Sequence, residues 1–310
     1  MNNTSKISQE STNHEARIIQ INDHVLGFYY GRGLTGKSGY ESNPENWINK
    51  GAWDLGIASY AVYRGDSALI FDSSTSPECG LWIRRYLDEK LGIKDIIVVL
   101  SHWHLDHIAG LSAFKDCQIY ALEATAECLR QNRVAIETGN LWGPPGIPVI
   151  MPTQTFSDSL DINIGDIAIQ FRHYRIHSHD GLAMLICSDR ALYAGDMLED
   201  PISYIVEPGD IPTHLKELSH LQQLSFASIF PSHGSFEIIA NGGYEKSLIA
   251  AIIEYNRNML RHVHDNDYLN LTIENMIPQA LKTGAVSIWE SYRSVHRDNL
   301  HRVYEHWHVF

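Results

Sequence analysis

No stretch of the chain approaches the roughly 18 uninterrupted apolar residues that a membrane-spanning helix needs, so a membrane protein of that kind is excluded. The start, Met1 to Glu15, is polar and lacks the apolar core of about 7 to 15 residues that marks a secretory signal peptide. A cytoplasmic protein with a disordered tail over residues 1–15 is the expectation. Cysteine is scarce. Cys79, Cys117, Cys128 and Cys187 are scattered without C-x-x-C spacing, which argues against a disulfide framework and for free thiols in a reducing compartment. Basic residues are also few, 24 Lys and Arg against 37 Asp and Glu, for a net charge of −13 with His neutral. Such a surface disfavours nucleic acid, whose phosphates need basic patches. Tandem repeats and low-complexity tracts are absent.

Histidine, by contrast, is abundant, with 17 in 310 residues. Ser101 to Gly110 reads S-H-W-H-L-D-H-I-A-G, so His102, His104, Asp106 and His107 form an H-x-H-x-D-H cluster. The apolar run Ile96 to Leu100 before it is a buried strand by pattern, and the cluster leaves that strand's end. Residues two apart in an extended segment point the same way. His102 and His104 can therefore hold one ion from one side, while Asp106 and His107 face a neighbouring position. Imidazole and carboxylate without nearby Cys suit Zn²⁺, with Fe or Mn as alternatives.

Three further segments end an apolar strand in a candidate ligand. Ala191 to Asp196 runs through Gly195 into a carboxylate, Ile229 to Gly234 ends in His233, and Ile167 to Ile176 leads into His177-Ser178-His179-Asp180-Gly181. Together with Asp72, at the end of Ala68 to Phe71, these segments in this order resemble the metallo-β-lactamase superfamily. Its pattern is an early Asp, H-x-H-x-D-H, a His followed by Ser or Thr, a Gly-Asp and a final His-Gly. The resemblance covers roughly residues 17 to 260. It implies a four-layer αβ/βα sandwich with the metals at one edge.

Carried over position by position, the resemblance implies that His102, His104 and His177 hold a first ion. Asp106, His107 and His233 hold a second, and Asp196 bridges the two. His177, followed by Ser178, fits the third motif better than His179, followed by Asp180; His179 then belongs to the pocket wall or behind a ligand. Asp72 is implied to be a buried carboxylate that accepts hydrogen bonds from the metal loop. The implied activity is hydrolysis by a hydroxide shared between two divalent ions, with Asp196 and Asp106 as catalytic carboxylates and no organic cofactor.

Among substrates, a thioester, lactone or related carboxylic ester comes first. Acyl-homoserine lactonases carry Tyr three residues after the bridging Asp, where this chain has Glu199, which argues against a typical lactonase. A phosphodiesterase, a mononuclear iron dioxygenase and a metal-containing signal binder without turnover stay open. The expected partner is a small-molecule substrate, with a homo-oligomer left open.

The pattern predicts strands at about 17–28, 58–72, 118–122, 160–164, 167–176, 182–187 and 190–194, with helices near 77–91, 124–136 and 213–225. Residues 16–243 are read as the catalytic domain, and 244–310 as a C-terminal helical extension covering the sandwich, with helices near 244–260, 271–281 and 285–304. A Gly-rich connection over 30–56, carrying Trp47 and Trp53, and a Pro-rich one over 139–155, carrying Trp142, are expected to line the cleft. Trp103, between two ligands, is expected to face it too. Six histidines near the C-terminus (262, 264, 296, 301, 306, 308) lack i, i+4 pairing, so a metal site there is not expected.

Overall fold

The computed structural model describes residues 16–32, Tyr40 and residues 45–308. The tail over 1–15 and much of the Gly-rich connection lie outside the described residues. The described residues begin with two hairpins, β1 (Arg17–Asn22) with β2 (Val25–Tyr30) and β3 (Ile57–Arg64) with β4 (Ser67–Phe71). A π-helical turn, Ile48–Ala52, and the single turn α1 (Trp53–Leu55) lie between them. Each hairpin reads in sequence as one long strand. Gly65, at φ +63°, and Asp66 turn the second one, with Arg64 paired to Ser67.

Helix α2 (Pro77–Leu91) follows with its ends marked in sequence. Ser76 accepts the Cys79 amide, Pro77 opens the helix and Gly92 closes it in the left-handed region. Then come β5 (Asp95–Val99), α3 (Leu105–Ile108), a 3-10 turn at Ala109–Phe114, β6 (Gln118–Leu122), α4 (Glu123–Glu137) and β7 (Gln154–Phe156). The first sheet has the order β1-β2-β3-β4-β5-β6-β7, antiparallel up to β4 and parallel beyond it. Strand β7, at the end of the Pro-rich connection, has no signal in the sequence pattern.

The second sheet holds β8 (Ser159–Ile164), β9 (Ile167–His173), β10 (Leu182–Ile186), β11 (Ala191–Gly195) and β12 (Ser228–Pro231), in the order β12-β11-β10-β9-β8. Helix α5 (Ile211–Leu221) precedes β12, and α6 (Phe236–Ala240) and α7 (Ser247–His262) follow it.

Alternation along the first sheet sorts its side chains onto two faces. Tyr29, Tyr60, Leu69, Phe71 and Val99 join the core shared with the second sheet, where Tyr60 meets Tyr193 at 5.0 Å and Phe71 meets Phe171 at 6.0 Å. Phe28, Ala61, Ile70 and Val98 face outward onto Ile83 and Leu87 of α2 and Leu129 of α4. Leu218 of α5 and Leu248 and Ile252 of α7 pack with the second sheet's residues. The four layers are therefore helix, sheet, sheet, helix, in a mixed α/β fold.

The C-terminal region differs from the expected helices in two places. The stretch near 271–281 forms two short helices, α8 (Ile273–Met276) and α9 (Pro278–Thr283), because Pro278 cannot continue a helix and starts a new one. Helix α10 spans Tyr292–His308, beginning later than residue 285. Gly284 ends α9 at φ +72°, and the following segment is tied down by Ser287 N–H to Asp200 (3.1 Å) and Trp289 indole N–H to the Asp54 carbonyl (2.8 Å). Tyr255, Met276, Tyr292 and Val303 share the sandwich's own core.

The layers approach closely where α2 crosses the turn after α3. A Cβ on Gly110 would lie 1.9 Å from the Ser73 carbonyl oxygen, and one on Gly80 2.4 Å from that of Gly110. Both contacts are to backbone, which cannot rotate away. We expect Gly110→Ala to lower the urea-unfolding free energy by about 3 kcal/mol, whereas Gly51→Ala, whose Cβ would meet nothing within 4 Å, changes it little. Equal stability of the two variants would contradict this packing account.

Candidate metal centre

The candidate site gathers at the ends of five strands. Beyond β4, Asp72 sits at φ +66°, fully buried, and its Oδ1 accepts the Ser101 amide at 2.7 Å while Oδ2 lies 2.8 Å from His107 Nδ1. This one carboxylate thus fixes the start of the loop after β5 and the ring of His107. His102 and His104 follow, the latter in extended backbone, and α3 carries Asp106 and His107. His177 stands after β9 at φ +66°, a conformation uncommon for a residue with a side chain. Gly195 turns at φ +54° to present Asp196, and His233 follows β12 with its Nδ1 2.5 Å from the Gly56 carbonyl oxygen, to which it donates.

Two groups of ligand atoms result, His102, His104, His177 and Asp196 in one and Asp106, His107, Asp196 and His233 in the other; within each, the atoms lie within 4.8 Å of one another. In the first, His104 Nδ1 and His177 Nε2 face each other at 3.0 Å, and Asp196 Oδ2 is 3.7 Å from His102 Nε2 and 3.8 Å from His177 Nε2. In the second, Asp196 Oδ2 lies 3.1 Å from His107 Nε2 and 3.3 Å from His233 Nε2, and Asp106 Oδ2 is 3.1 Å from His233 Nε2. Asp196 is the member common to both.

The donor set fits divalent cations. His102 Nε2 and Asp196 Oδ1 are buried without a hydrogen-bond partner, a costly state that a cation between them would relieve. Burial, reinforced by neighbouring imidazoles, holds His102 and His104 well below the usual histidine range, which keeps them in the neutral form that ligates. Burial opposes protonation of His107 and His233 as well, but the carboxylates of Asp196 and Asp106 outweigh it and raise both well above that range. The second group therefore already has the electrostatics to hold positive charge, and a cation entering there displaces protons.

A cleft of about 410 Å³ opens on these groups, with His104, Asp106, His177, Asp196 and His233 exposed to it. Trp47, Leu55, Trp142 and Val295 give it apolar walls, and Glu199, Tyr204, Asp298 and Arg302 a polar one. Both long connections reach it: Trp47 from the Gly-rich one lines the cleft beside Trp142, and its amide and indole N–H bond the Pro144 and Pro145 carbonyls at 3.0 and 3.1 Å.

Two expected pocket residues lie elsewhere. Trp103 packs behind the lining, 5.3 Å from Trp142 and 5.5 Å from His104 between ring centroids. The alternation that pairs His102 with His104 turns the residue between them the other way. His179 is also outside the cleft lining, with Nδ1 2.5 Å from Glu207 Oε1 and Nε2 3.4 Å from Cys128 Sγ. The left-handed backbone at His177 breaks the period of two, so the residues on either side of Ser178 diverge.

Three contributors escape sequence reasoning. Asp180, fully buried, accepts the Trp103 amide at 3.0 Å and the Thr125 hydroxyl at 2.8 Å, bracing the metal loop from behind. Glu199 accepts the Tyr204 amide at 3.0 Å and the Tyr292 hydroxyl at 2.9 Å, and its Oε1 lies 3.6 Å from His177 Nδ1. Burial, then the nearby charge of Asp196, pushes its carboxyl up to about 8. The third is α10, which supplies Ser294, Val295, Asp298 and Arg302 to the cleft. The only signal for Glu199 in the sequence is its place three residues after Gly-Asp.

Similarity to known proteins agrees with this geometry. The family model described as the metallo-beta-lactamase superfamily matches residues 52–233, more than half of the chain and all seven candidate ligands. A metallo-beta-lactamase from Pontibacter korlensis superposes with a TM-score of 0.60 at 16% identity, over 79% of this chain and 100% of that one. The FIM-1 metallo-beta-lactamase of Pseudomonas aeruginosa, in a mono-zinc form, gives 0.56 at 13% identity, over 79% and 96%. Among curated proteins, the acyl-coenzyme A thioesterase MBLAC2 of Gallus gallus is 23% identical over 35% of this chain and 44% of its own length. A linear primary-alkylsulfatase of a Pseudomonas species is 22% identical over 54% of this chain and 38% of its own. The chain thus spans about two fifths of the length of these curated relatives. On the family match, the shared fold and the position of every candidate ligand within the matched region, the chain belongs to the metallo-beta-lactamase superfamily.

Proposed function

We propose that the protein is a metal-dependent hydrolase acting on a thioester, lactone or related carboxylic ester. The observation that carries this reading is the cleft, where an apolar wall of Trp47, Leu55, Trp142 and Val295 leads directly to two carboxylate–imidazole groups. An acyl or ring-bearing substrate can bury its apolar part there and present its carbonyl to the metal side. Arg302 is the single Lys or Arg among the described cleft residues. A phosphodiester would depend on the bound ions for its charge, whereas an acyl group also gains from the apolar wall.

His102, His104 and His177 would hold one divalent ion, Asp106, His107 and His233 the other, and Asp196 both, with zinc the ion best suited to this donor set. Bound ions of this kind supply an activated water at neutral pH and polarise the carbonyl under attack. The chain's residues do the rest. Asp72 holds the His107 ring in place through Nδ1, and the Gly56 carbonyl does the same for His233. Asp106, which reaches the cleft surface, stands where a proton can pass to the leaving group. The acyl-coenzyme A thioesterase among the relatives supports the ester reading. No helix among the described residues is long and apolar enough to cross a membrane.

The test is elemental analysis of the purified protein combined with a panel of thioester, lactone, β-lactam and phosphodiester substrates. We expect about two transition-metal ions per chain and a kcat/KM for a thioester or lactone at least about tenfold above that for a phosphodiester. Full activity with a single iron, or turnover of the phosphodiester alone, would overturn the proposal.

A further inference from the structure

Behind the cleft, a separate group of metal-ligating side chains stands on the turn that leads into α5. Glu207 precedes the 3-10 turn Pro208–Asp210, and His214 lies in the first turns of α5. A carboxylate oxygen of Glu207, one of Asp210 and a ring nitrogen of His214 lie within 4.8 Å of one another. None of the three lines the cleft.

Two atoms on these residues are buried with nothing to bond. His214 is 2% exposed and its Nε2 has no hydrogen-bond partner; Glu207 Oε2 has none either. Leaving such atoms unsatisfied is unfavourable, and the cost falls twice within one cluster. The neighbouring basic side chains do not relieve it, because one engages Glu207 at its other oxygen and the other engages Asp210. His179 Nδ1 engages Glu207 Oε1 at 2.5 Å, and the Arg175 guanidinium engages Asp210 Oδ2 at 2.5 Å. Burial of the His214 ring disfavours its charged form, and a neutral ring keeps a lone pair for a cation.

We propose that Glu207, Asp210 and His214 form a further divalent-cation site, separate from the two at the cleft. One imidazole with two carboxylates suits Zn²⁺ or Mn²⁺. Arg175 and His179 offset part of the carboxylate charge, so the ion binds more weakly than those at the cleft and fills last. Through Glu207 and His179 it links the turn before α5 to the loop that carries His177. The site does not depend on the proposed hydrolysis.

Anomalous diffraction from crystals of the full chain soaked in ZnCl₂ or MnCl₂, together with equilibrium dialysis against buffered zinc, tests this. The expected result is an anomalous peak bounded by Glu207, Asp210 and His214. In dialysis, His214→Ala should lose one equivalent of zinc while keeping the cleft ions and turnover. Glu207→Gln, at a half-buried position, should do the same and guards against a His214 variant that fails to fold. Asp196→Ala should lose cleft ions and keep this one, so a failure of the hydrolase reading leaves the result interpretable. No peak at this group while the cleft ions are fully occupied, or a complete zinc complement in both His214→Ala and Glu207→Gln, would overturn the proposal.

Discussion

Asp196→Ala should abolish turnover, lowering kcat/KM by about 10³-fold or more, equivalent to about 4 kcal/mol of transition-state stabilisation, and it should cut metal content. The carboxylate is the member common to both ligand groups, 3.1 Å from His107 Nε2 and 3.3 Å from His233 Nε2 on one side and 3.7 Å from His102 Nε2 on the other. In the proposed arrangement its removal would take a ligand from both ions at once and withdraw negative charge from the pocket. His179→Ala is the contrast. Its ring faces Glu207 and Cys128, outside the cleft, so both cleft ions should stay and activity should change far less. Elemental analysis alongside steady-state kinetics reads both effects. An Asp196→Ala protein with two ions and near-normal rates would refute the shared-ligand role, and loss of a cleft ion from His179→Ala with both retained in His177→Ala would reverse the assignment of the third motif.

Asp72→Ala should destabilise the fold by about 3 to 5 kcal/mol, in the range for removing one partner of a buried charged pair. The carboxylate is 1% exposed and serves two groups that have no access to water, the Ser101 amide and His107 Nδ1. Alanine leaves the Ser101 amide unpaired, leaves His107 Nδ1 only the Ser101 hydroxyl at 3.4 Å, and must also adopt φ +66°, which asparagine and aspartate tolerate better. Asp72→Asn should accordingly be milder in urea unfolding, since it keeps an acceptor for Ser101, yet still lower occupancy of the ion held by His107, whose ring loses its anionic partner. Unchanged unfolding free energy in Asp72→Ala would show that the loop after β5 is held by something else.

The candidate ligands were legible because each is encoded locally. An apolar run ends, a Gly or a polar turn follows, and the next side chain is His or Asp, so the position of the residue at a strand's end is nearly its position in space. The span of α2 was equally readable, from Leu81, Ile83, Leu87 and Leu91 spaced among charges. Failures came where one backbone angle overrides a pattern. His177 at φ +66° sends His179 away from the cleft that a period of two would have given it, and Gly65 folds one apparent strand into a hairpin. For Trp103 the period of two was itself the right guide, since it places the residue opposite His102 and His104.

What the sequence alone determined, then, is the superfamily pattern, the four-layer class of fold and the chemistry of the ligand set, because these depend on residue types at short spacings. Tertiary structure alone decided what surrounds that chemistry. Tyr292, 93 positions after Glu199, donates to that carboxylate from α10 beside His177, and Arg302 enters the cleft from the same helix. The helix's apolar side, with Val295, Leu300 and Val303, packs into the core, and this fixes which of its polar residues face the cleft. Such long-range placement follows from burial against a distant surface, and no local spacing carries it.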